Sequence, residues 1–371
     1  MRFALQCLKR SLFSVAALTL LPLAAQAQHY TQTNLVADLP GVAAVTDPSL
    51  VNPWGLSRSA GSPWWVSNNG TGTSTLYTGA GAIIPINGNG IVTIPAPTGA
   101  PAGTLSTPTG TVFNGGPDFV LPNGKPAVFL FVTEDGTISG WNGGPAAVLV
   151  VDNSDKNSGK GAVYKGVTTA LVNGKAFLYV TNFRSGRIEV YDTNFKRLRL
   201  SEELFDDDRI PRNFAPFNVQ NVGGSLLVTY AKQDSLRHDD VAGDGNGFVE
   251  IFTASGQHIG HLEHGPWLNS PWGAVWTSRD FGAFSNSILI GNFGSGKIAA
   301  FNGFTHEFVG FVKNPDDSTL AIDGLWSLTF GNNATAGSST TLFFSAGPDK
   351  EQHGLFGSLM PVETEQTGDV E

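Results

Sequence analysis

Asn-Pro-Trp-Gly-Leu at residues 52–56 decides the fold of this chain, because a close copy, Asn-Ser-Pro-Trp-Gly, recurs at residues 269–273. A longer phrase repeats as well. Leu-Tyr-Val-Thr-Asn-Phe-Arg-Ser-Gly-Arg-Ile at residues 178–188 returns as Leu-Ile-Gly-Asn-Phe-Gly-Ser-Gly-Lys-Ile at residues 289–298. Self-similarity of this kind is typical of proteins built from copies of one supersecondary unit. The sequence therefore predicts a repeat architecture.

Six segments share one order of features: a turn, an apolar strand, a turn, a second strand, a Gly-rich turn and a further strand. They span residues 52–100, 108–150, 161–205, 214–263, 269–315 and 322–360. Four short strands in a unit of roughly 50 residues are typical of a propeller blade. We therefore predict an all-β fold, a six-bladed β-propeller. The last segment lacks a fourth strand, and residues 33–37 are predicted to supply it and close the ring.

The N-terminal residues have the pattern of an export signal. Three basic residues precede an apolar stretch, and Ala-Gln-Ala at residues 25–27 matches a signal-peptidase site. We therefore expect residues 1–27 to be a signal peptide and the mature protein to be periplasmic or secreted. Cys7, the only cysteine, would be removed with the signal, so we expect no disulfide.

Composition limits the partners of the mature chain. Removing the signal leaves 19 basic and 31 acidic residues, a net charge of −12. This acidic balance argues against nucleic acid as a partner and suits cations or neutral ligands. No second long apolar run appears after the signal, so no membrane-spanning segment is predicted. Residues 28–360 are expected to form a single propeller domain, and the polar residues 361–371 a disordered tail.

The repeat pattern Pro-x-Gly, strand, x-Asn-x-x-Gly-x-Ile, strand resembles the NHL repeat. It is also similar to the six-bladed propellers of the gluconolactonase and regucalcin class. More closely, nearly all of the chain after residue 33 resembles a family of secreted bacterial propellers. The phrases that carry this resemblance lie at residues 51–55, 133–141, 214–221, 229–234 and 345–349. The resemblance implies a fold and an address outside the cytoplasm, but no reaction.

Two kinds of turn lie on one face of such a disc, the top face: the turn that enters the first strand and the turn that joins strands two and three. Convergent loops of this kind favour ligand sites. The predicted ligand-binding residues on these turns are Trp54, Thr109, Asp135, Asn218 and Trp272. A small molecule, a glycan or a peptide is the expected ligand. The alternative, which we favour for Trp54, Trp272 and Trp326, is that these side chains fill the core between blades.

A hard-cation site is a second expectation. Lactonase propellers that this chain resembles use a Glu/Asn/Asn/Asp set, which implies a calcium-type site. The corresponding residues come from four blades: Glu134, Asn182, Asn292 and Asp323. The alternative is that each Asn caps its own turn through side-chain bonds to the backbone.

Two further groups of polar residues need a structure to interpret. The segment 234–250 interrupts what is elsewhere a short turn, and its register excludes an EF-hand loop. It is open as a metal loop, as a lid over the top face or as a solvated loop. His258, His261 and His264 follow the third strand of their segment, and strand alternation places His261 opposite the other two. That alternation argues against a shared metal.

The sequence does not decide whether the protein is an enzyme. It lacks the nucleophile-elbow, P-loop, dinucleotide-binding and zinc-protease motifs. The favoured hypothesis is therefore a binding propeller. The second is a metal-assisted hydrolase of the lactonase or esterase kind, in which Lys165 or His353 moves protons. The third is a lyase or glycosidase that uses paired carboxylates such as Asp135 and Asp323.

Overall fold

The protein is a six-bladed β-propeller, as the sequence predicted. The computed structural model describes residues 29–86, 88, 90–155 and 160–362, and most of these residues lie in strands or the turns between them. The innermost strand of each blade contacts the innermost strand of the next, and the sixth contacts the first, which closes the ring. The predicted signal peptide lies outside the described residues, as does most of the predicted tail.

Each blade is one mainly antiparallel sheet whose strands follow one another from the axis outward. Blade I consists of β3 (Pro53–Ser57), β4 (Trp64–Asn68), β5 (Thr73–Tyr77) and β6 (Ile91–Thr93). Blade II consists of β7 (Pro108–Phe113), β8 (Phe129–Thr133), β9 (Thr137–Trp141) and β10 (Val148–Asp152). Blade III consists of β11 (Tyr164–Val172), β12 (Lys175–Asn182) and β13 (Arg187–Tyr191).

The second half of the chain continues the same pattern. Blade IV consists of β14 (Phe214–Val222), β15 (Ser225–Lys232), β16 (Gly247–Thr253) and β17 (His258–His261). Blade V consists of β18 (Pro271–Trp276), β19 (Ser287–Asn292), β20 (Ile298–Asn302) and β21 (Phe308–Phe311). Blade VI consists of β22 (Leu325–Phe330), β23 (Leu342–Ala346), β24 (Leu355–Pro361), β1 (Tyr30–Ala37) and β2 (Val45–Thr46). A 3-10 turn, Gly282–Phe284, and a single helical turn, α1 (Pro348–Glu351), lie between strands.

The two ends of the chain meet in blade VI. β1 pairs antiparallel with β24 from Tyr30 opposite Pro361 to Ala37 opposite Leu355. This pairing covers the edge that β24 would otherwise expose. The predicted closure by an N-terminal strand is therefore present, and the strand is three residues longer at its start than the sequence indicated. β24 also ends at Pro361, one residue beyond the predicted domain boundary.

Blade III departs from the expected four strands. After β13, one isolated bridge joins Tyr191 to Arg197, and no ladder follows it among the described residues. The side chain of Asp192 accepts hydrogen bonds from the backbone amides of Asn194 and Lys196, each at 2.9 Å. This local turn takes up the residues that would begin an outer strand.

The repeated Pro-Trp-Gly phrase forms the centre of the ring. The first residues of all six innermost strands contain a register shift in their pairing with the second strand. The residues at this position are all buried, and the rings among them contact one another at the centre: Trp54, Thr109, Lys165, Phe217, Trp272 and Trp326. The glycine that follows is required by close approach, since a Cβ on Gly55 would lie 2.7 Å from the Thr109 carbonyl oxygen.

Aromatic rings fill the axis below the top face. Trp54 and Trp326 stack with ring centroids 3.4 Å apart, and Phe293 stacks on Trp326 from the other side at 3.9 Å. Trp272 meets Trp54 edge to face at 6.0 Å. These large rings tie blades I, V and VI together at the centre. In the described part of the chain, no helix has the length and apolar character needed to cross a membrane.

Candidate functional site on the top face

Lys165 is the central charged residue of the top face. It occupies the position on β11 that Trp54 occupies on β3, and only 2% of it is exposed. Its Nζ contacts a carboxylate oxygen of Glu134 and lies 3.4 Å from Oδ1 of Asp239. Its Nζ also lies 5.0 Å from the ring centroid of Trp54. Lys165 is thus held from above by carboxylates and from below by an aromatic face.

Hydrogen bonds extend this contact across the ring toward blade VI. The other oxygen of Glu134 accepts a hydrogen bond from Nδ2 of Asn69 at 2.8 Å. Nδ2 of Asn52 lies 3.4 Å from Oδ1 of Asn69 and 3.1 Å from Oε2 of Glu351. Oδ1 of Asn52 accepts from the Trp326 indole at 3.0 Å. This polar chain therefore reaches from blade VI through blades I and II to Lys165 of blade III.

The segment between β15 and β16 completes the chain from blade IV. Nδ1 of His238 lies 2.8 Å from Oδ1 of Asp239, the same oxygen that faces Lys165. The side chain of Asp234 accepts from the backbone amide of His238 at 2.8 Å, which fixes this turn. The long segment that the sequence left open thus covers part of the top face. We refer to Asn52, Asn69, Glu134, Lys165, His238, Asp239 and Glu351 together as the hub.

Charge is unbalanced in the hub, and its carboxyl groups differ strongly in pKa. Burial, reinforced by the charge of Glu134, raises the pKa of Glu351 to about 7. The hydrogen bond from His238 outweighs burial and lowers the pKa of Asp239 to about 2. Burial by itself lowers the pKa of Lys165, but the carboxylates of Glu134 and Asp239 raise it above its ordinary value. At neutral pH the Asp239 carboxylate is thus ionised, whereas the Glu351 carboxyl group takes up a proton readily.

The backbone under Glu351 is unusual. Asp349, Lys350 and Glu351 have φ values of 53°, 56° and 67° in succession, and Asn52 has 47°. Non-glycine residues rarely adopt this left-handed region, and such positions cluster at functional sites. Here the conformation brings the Glu351 carboxyl group to Asn52.

A groove gives access to one end of the hub. It has a volume of about 290 Å³. Its walls are residues of the segment 97–104 on one side and of blades II to IV on the other: Pro97, Ala100, Pro101, Thr104, Glu134, Asp135, Ser154, Ala162, Arg184 and His238. Glu134 and His238 therefore face both the hub and open space.

The predicted ligand-binding residues lie close to the axis in different roles. Trp54 and Trp272 form the buried floor and are 2% and 3% exposed. Thr109 Oγ1 donates to the Tyr164 carbonyl at 2.8 Å, and Asn218 Nδ2 donates to the Trp272 carbonyl at 2.9 Å. Both therefore join neighbouring innermost strands below the hub. Asp135 accepts from the backbone and side chain of Thr107 at 2.8 and 3.0 Å, which fixes its turn.

The four predicted calcium ligands have different hydrogen-bond partners. Glu134 is in the hub. Asn182 binds Ser185 and Glu189 of its own blade, and Asn292 binds the backbone of Asn269 and Lys297. Asp323 is exposed and accepts from the Asp349 amide at 2.8 Å. Each Asn side chain thus bonds within its own blade, in line with the alternative of a turn cap, and a calcium site on these four residues stays a prediction.

Of the two predicted acid–base residues, the hub contains Lys165 alone. Nδ1 of His353 lies 2.8 Å from Oδ2 of Asp38, and its backbone carbonyl accepts from the Asn52 amide. It makes no hydrogen bond to Lys165 or Glu134 among the described residues. The loop before blade I thus determines where His353 points.

Part of the hub could not be predicted from the sequence, because one residue at the end of a strand decides which way a side chain points. The side chain directly after the second strand of a blade contacts a neighbouring blade in five cases: Asn69, Glu134, Phe183, Gln233 and Phe293. Asn182 and Asn292 are the last residues of their strands, one position earlier. A shift of one residue turns a side chain to the other face. Aligning Glu134 with Asn69 from the strand ends would have located the correct position.

Comparisons with known proteins agree with the fold. No family model matches the chain. The uncharacterized protein R648 of Acanthamoeba polyphaga mimivirus is 31% identical over 337 residues, which cover 88% of this chain and 78% of the viral protein. The uncharacterized protein L690 of the same virus is 31% identical over 338 residues, 88% of this chain and 84% of the viral protein.

Two solved propeller structures are similar in shape. The GH93 α-L-arabinofuranosidase of Fusarium graminearum, in complex with arabinobiose, has a TM-score of 0.52 and 11% identity, covering 91% of this chain and 99% of that one. The α-L-arabinanase of Penicillium chrysogenum, also with arabinobiose, has a TM-score of 0.51 and 11% identity, covering 89% and 98%. At this identity the likeness shows the fold alone.

Proposed function

The chain belongs to the same family as these two mimivirus proteins, and we propose that it is an exported propeller whose hub binds a small molecule, glycan or peptide bearing an amino group. One observation carries the proposal: a continuous chain of polar side chains from five blades crosses the top face. Such convergence of polar groups over an aromatic floor is typical of ligand sites.

The charge of the hub supports a basic ligand. Lys165 is one ammonium group, whereas Glu351 lies within the combined field of three further carboxyl groups, those of Glu134, Asp239 and Asp240. An added cation would keep Glu351 ionised and would balance the remaining carboxylates. Lys165 itself demonstrates that an ammonium group fits between carboxylates and the Trp54 ring.

The groove supports a ligand larger than a single ion. Its volume of about 290 Å³ is at the lower end of the range of small-molecule sites. It opens beside Glu134 and His238, so one end of a ligand reaches the carboxylates while the rest lies along the segment 97–104.

A matched pair of sugars tests this proposal. We expect chitosan tetramer, which has free amino groups, to bind in isothermal titration calorimetry, and N-acetylated chitotetraose to bind much more weakly. Asp239→Asn should weaken chitosan binding about tenfold, the effect of losing one charged hydrogen bond. His264→Ala is the control, because His264 stacks on Phe248 away from the hub. Equal affinity for the two sugars, or binding that ignores Asp239→Asn, would contradict the proposal.

The export part of the proposal is supported by the pattern of residues 1–27. Amino-terminal sequencing of the protein recovered from periplasm and medium tests it, with a start at residue 28 expected. A mature protein that retains the basic start and stays with the cytoplasm would contradict export.

A metal-assisted hydrolase is the second candidate, and one cluster favours it. Ligand atoms of Glu134, His238 and Asp239 all lie within 4.8 Å of one another. The imidazole nitrogen favours a transition ion over calcium. If a metal binds at this cluster, dialysis against EDTA should lower the melting temperature and abolish hydrolysis of a nitrophenyl ester or a lactone. Unchanged melting and activity after EDTA would remove this candidate and leave the binding proposal standing.

A further inference from the structure

A second cluster of charged groups lies at the outer edge of blade IV, on β16 and β17. Glu250 of β16 pairs with His261 of β17, and Phe252 pairs with His258. The register shifts between these two pairs. Since Glu250 and Phe252 are two residues apart on one strand, they share a face. The shift therefore places His258 and His261 on the same face, which simple alternation along β17 excludes.

The side chains of this face converge. Nε2 of His258 lies 2.6 Å from Oε2 of Glu250. One ligand atom from each of Glu250, His258 and His261 lies within 4.8 Å of the other two. Oδ2 of Asp207, from the segment between β13 and β14, lies 3.2 Å from the same His258 nitrogen. Four side chains that ligate metals thus face one point.

Arg209 occupies that point. Its Nη1 lies 2.8 Å from Nδ1 of His261, and its Nη2 lies 3.4 Å from Oε2 of Glu250 and 3.2 Å from Nε2 of His258. It also forms a close ion pair with Asp207. We refer to Asp207, Arg209, Glu250, His258 and His261 as the edge cluster.

The hydrogen-bonding roles in the edge cluster conflict when Arg209 is the cation. A guanidinium group only donates, so Nδ1 of His261 must turn a lone pair toward it. Nε2 of His258 faces Arg209, which donates, and Oε2 of Glu250, which accepts when Glu250 is ionised. One ring nitrogen cannot serve both at once. A divalent ion in place of the guanidinium group would accept lone pairs from both rings and both carboxylates together.

We propose that Asp207, Glu250, His258 and His261 form a binding site for a divalent transition-metal ion, with zinc preferred, and that Arg209 moves out when the metal binds. Two imidazole nitrogens and two carboxylate oxygens are a donor set that suits tetrahedral zinc. This site is separate from the hub and does not depend on the function proposed for it.

The exposure of the cation and the burial of the two carboxylate ligands support this exchange. The side chains of Glu250 and Asp207 are 4% and 6% exposed, whereas that of Arg209 is 48% exposed. An open groove of about 710 Å³ borders the cluster and gives a path from solvent. The two carboxylate ligands are therefore held in place, while the two His side chains and Arg209 border solvent and Arg209 has room to leave.

Metal titration of the chelator-treated full chain tests the proposal. His238→Ala serves as the background, because it removes the only histidine of the hub. We expect one Zn²⁺ ion per chain in isothermal titration calorimetry, a raised melting temperature, and visible absorption typical of tetrahedral coordination when Co²⁺ replaces zinc. His258→Ala and His261→Ala should each weaken binding at least about tenfold, because a lost ligand costs no less than a lost outer-shell partner.

Two further variants separate a metal site from a surface ion pair. His264→Ala is the matched control and should leave zinc affinity unchanged. Arg209→Ala should tighten zinc binding, because it removes the competing cation. The proposal is overturned if zinc and cobalt do not bind at micromolar concentrations, if binding survives in the double variant His258→Ala/His261→Ala, or if Arg209→Ala weakens it.

Discussion

In both the hub and the edge cluster one cation lies among carboxylates. The cation is the most buried partner in the hub, whereas the carboxylates are the buried partners in the edge cluster. In the hub, the cation is fixed: Lys165 belongs to an innermost strand and its side chain is 2% exposed, whereas its partners Glu134 and Asp239 lie after strand ends and are 11% and 66% exposed. At the edge, Glu250 is fixed on β16 and 4% exposed, and the cation, Arg209, lies on a connecting segment with 48% exposure. The same ion-pair chemistry therefore has different consequences in the two regions.

The difference indicates which group can be exchanged. Removing a cation costs most where the carboxylate left behind is poorly solvated and has no other way to be neutralised. We therefore infer that Lys165 is a fixed part of the fold, around which ligands are arranged. Arg209, by contrast, is a replaceable counterion.

The largest expected difference between the two regions is in the loss of stability when each cation is replaced. Lys165→Met should lower the free energy of unfolding by about 3–5 kcal/mol, because it leaves the Glu134 carboxylate, 11% exposed, without its ion pair. Arg209→Met should cost about 1 kcal/mol or less, because His258 stays beside Glu250 and Asp207, and because burial raises the pKa of Glu250 to about 8, so that this carboxyl group takes up a proton. Urea unfolding of both variants at neutral pH provides the measurement.

A double variant sharpens the same test. Lys165→Met with Glu134→Gln should recover part of the lost stability, because a neutral amide replaces the unpaired carboxylate. Equal losses in Lys165→Met and Arg209→Met, or no recovery in the double variant, would mean that the two regions do not differ as described.

The free energy of unfolding should depend on pH, because the carboxyl groups of the hub lie close together. The pKa of Glu351 is raised from 4.5 to about 7 in the folded protein, so the folded state binds more protons than the unfolded state between these values. Stability from this group is full below about pH 4.5 and is lost as the pH rises through about 7. Glu351→Gln should remove that loss and be more stable than the parent at pH 8 by about 1–3 kcal/mol.

Thermal or urea unfolding at pH 5 and pH 8 measures this difference. The control is Glu202→Gln, which changes a carboxylate that is 87% exposed and should not alter the pH dependence. If parent and Glu351→Gln proteins lose stability in parallel between pH 5 and pH 8, the hub does not raise the pKa of Glu351.

The fold could be predicted from the sequence because the repeat is encoded locally. The Pro-Trp-Gly phrase appears where neighbouring innermost strands approach too closely for a side chain, as at Gly55 beside Thr109. Runs of apolar residues between Gly turns then define the strands. The prediction of an outer strand in blade III was wrong, because the Asp192 turn depends on specific side-chain bonds that a strand pattern does not show.

The hub was only partly predictable, for a physical reason. Lys165 and Glu134 follow from turn positions in the repeat. Asn52 and Glu351 meet through left-handed backbone in segments far apart in sequence, and no periodic pattern signals that meeting. In blades III and V, side-chain direction at the strand end decided whether Asn182 and Asn292 or their neighbours face the axis, and one residue of register reverses the answer.

The two histidines of the edge cluster could not be placed correctly from the sequence either. Alternation along β17 separates His258 from His261, and the prediction that they face opposite ways was wrong. The register shift between β16 and β17 depends on how the two strands pair, which a single strand does not encode. Polar residues near the ends of outer strands therefore need the pairing before their chemistry can be judged.

The smallest expected effect is that of Asp323→Asn. This variant distinguishes an ion held in the hub from an ion held by the predicted Glu/Asn/Asn/Asp set. Asp323 is exposed and accepts one hydrogen bond, from the Asp349 amide, and an asparagine oxygen accepts it equally well. Asp323→Asn should therefore change the free energy of unfolding by no more than about 0.5 kcal/mol. It should also leave any EDTA-dependent change in melting temperature intact, whereas Asp239→Asn should reduce such a change if an ion binds beside Glu134. If Asp323→Asn alone abolished the EDTA effect, the ion would be held by the Glu/Asn/Asn/Asp set instead.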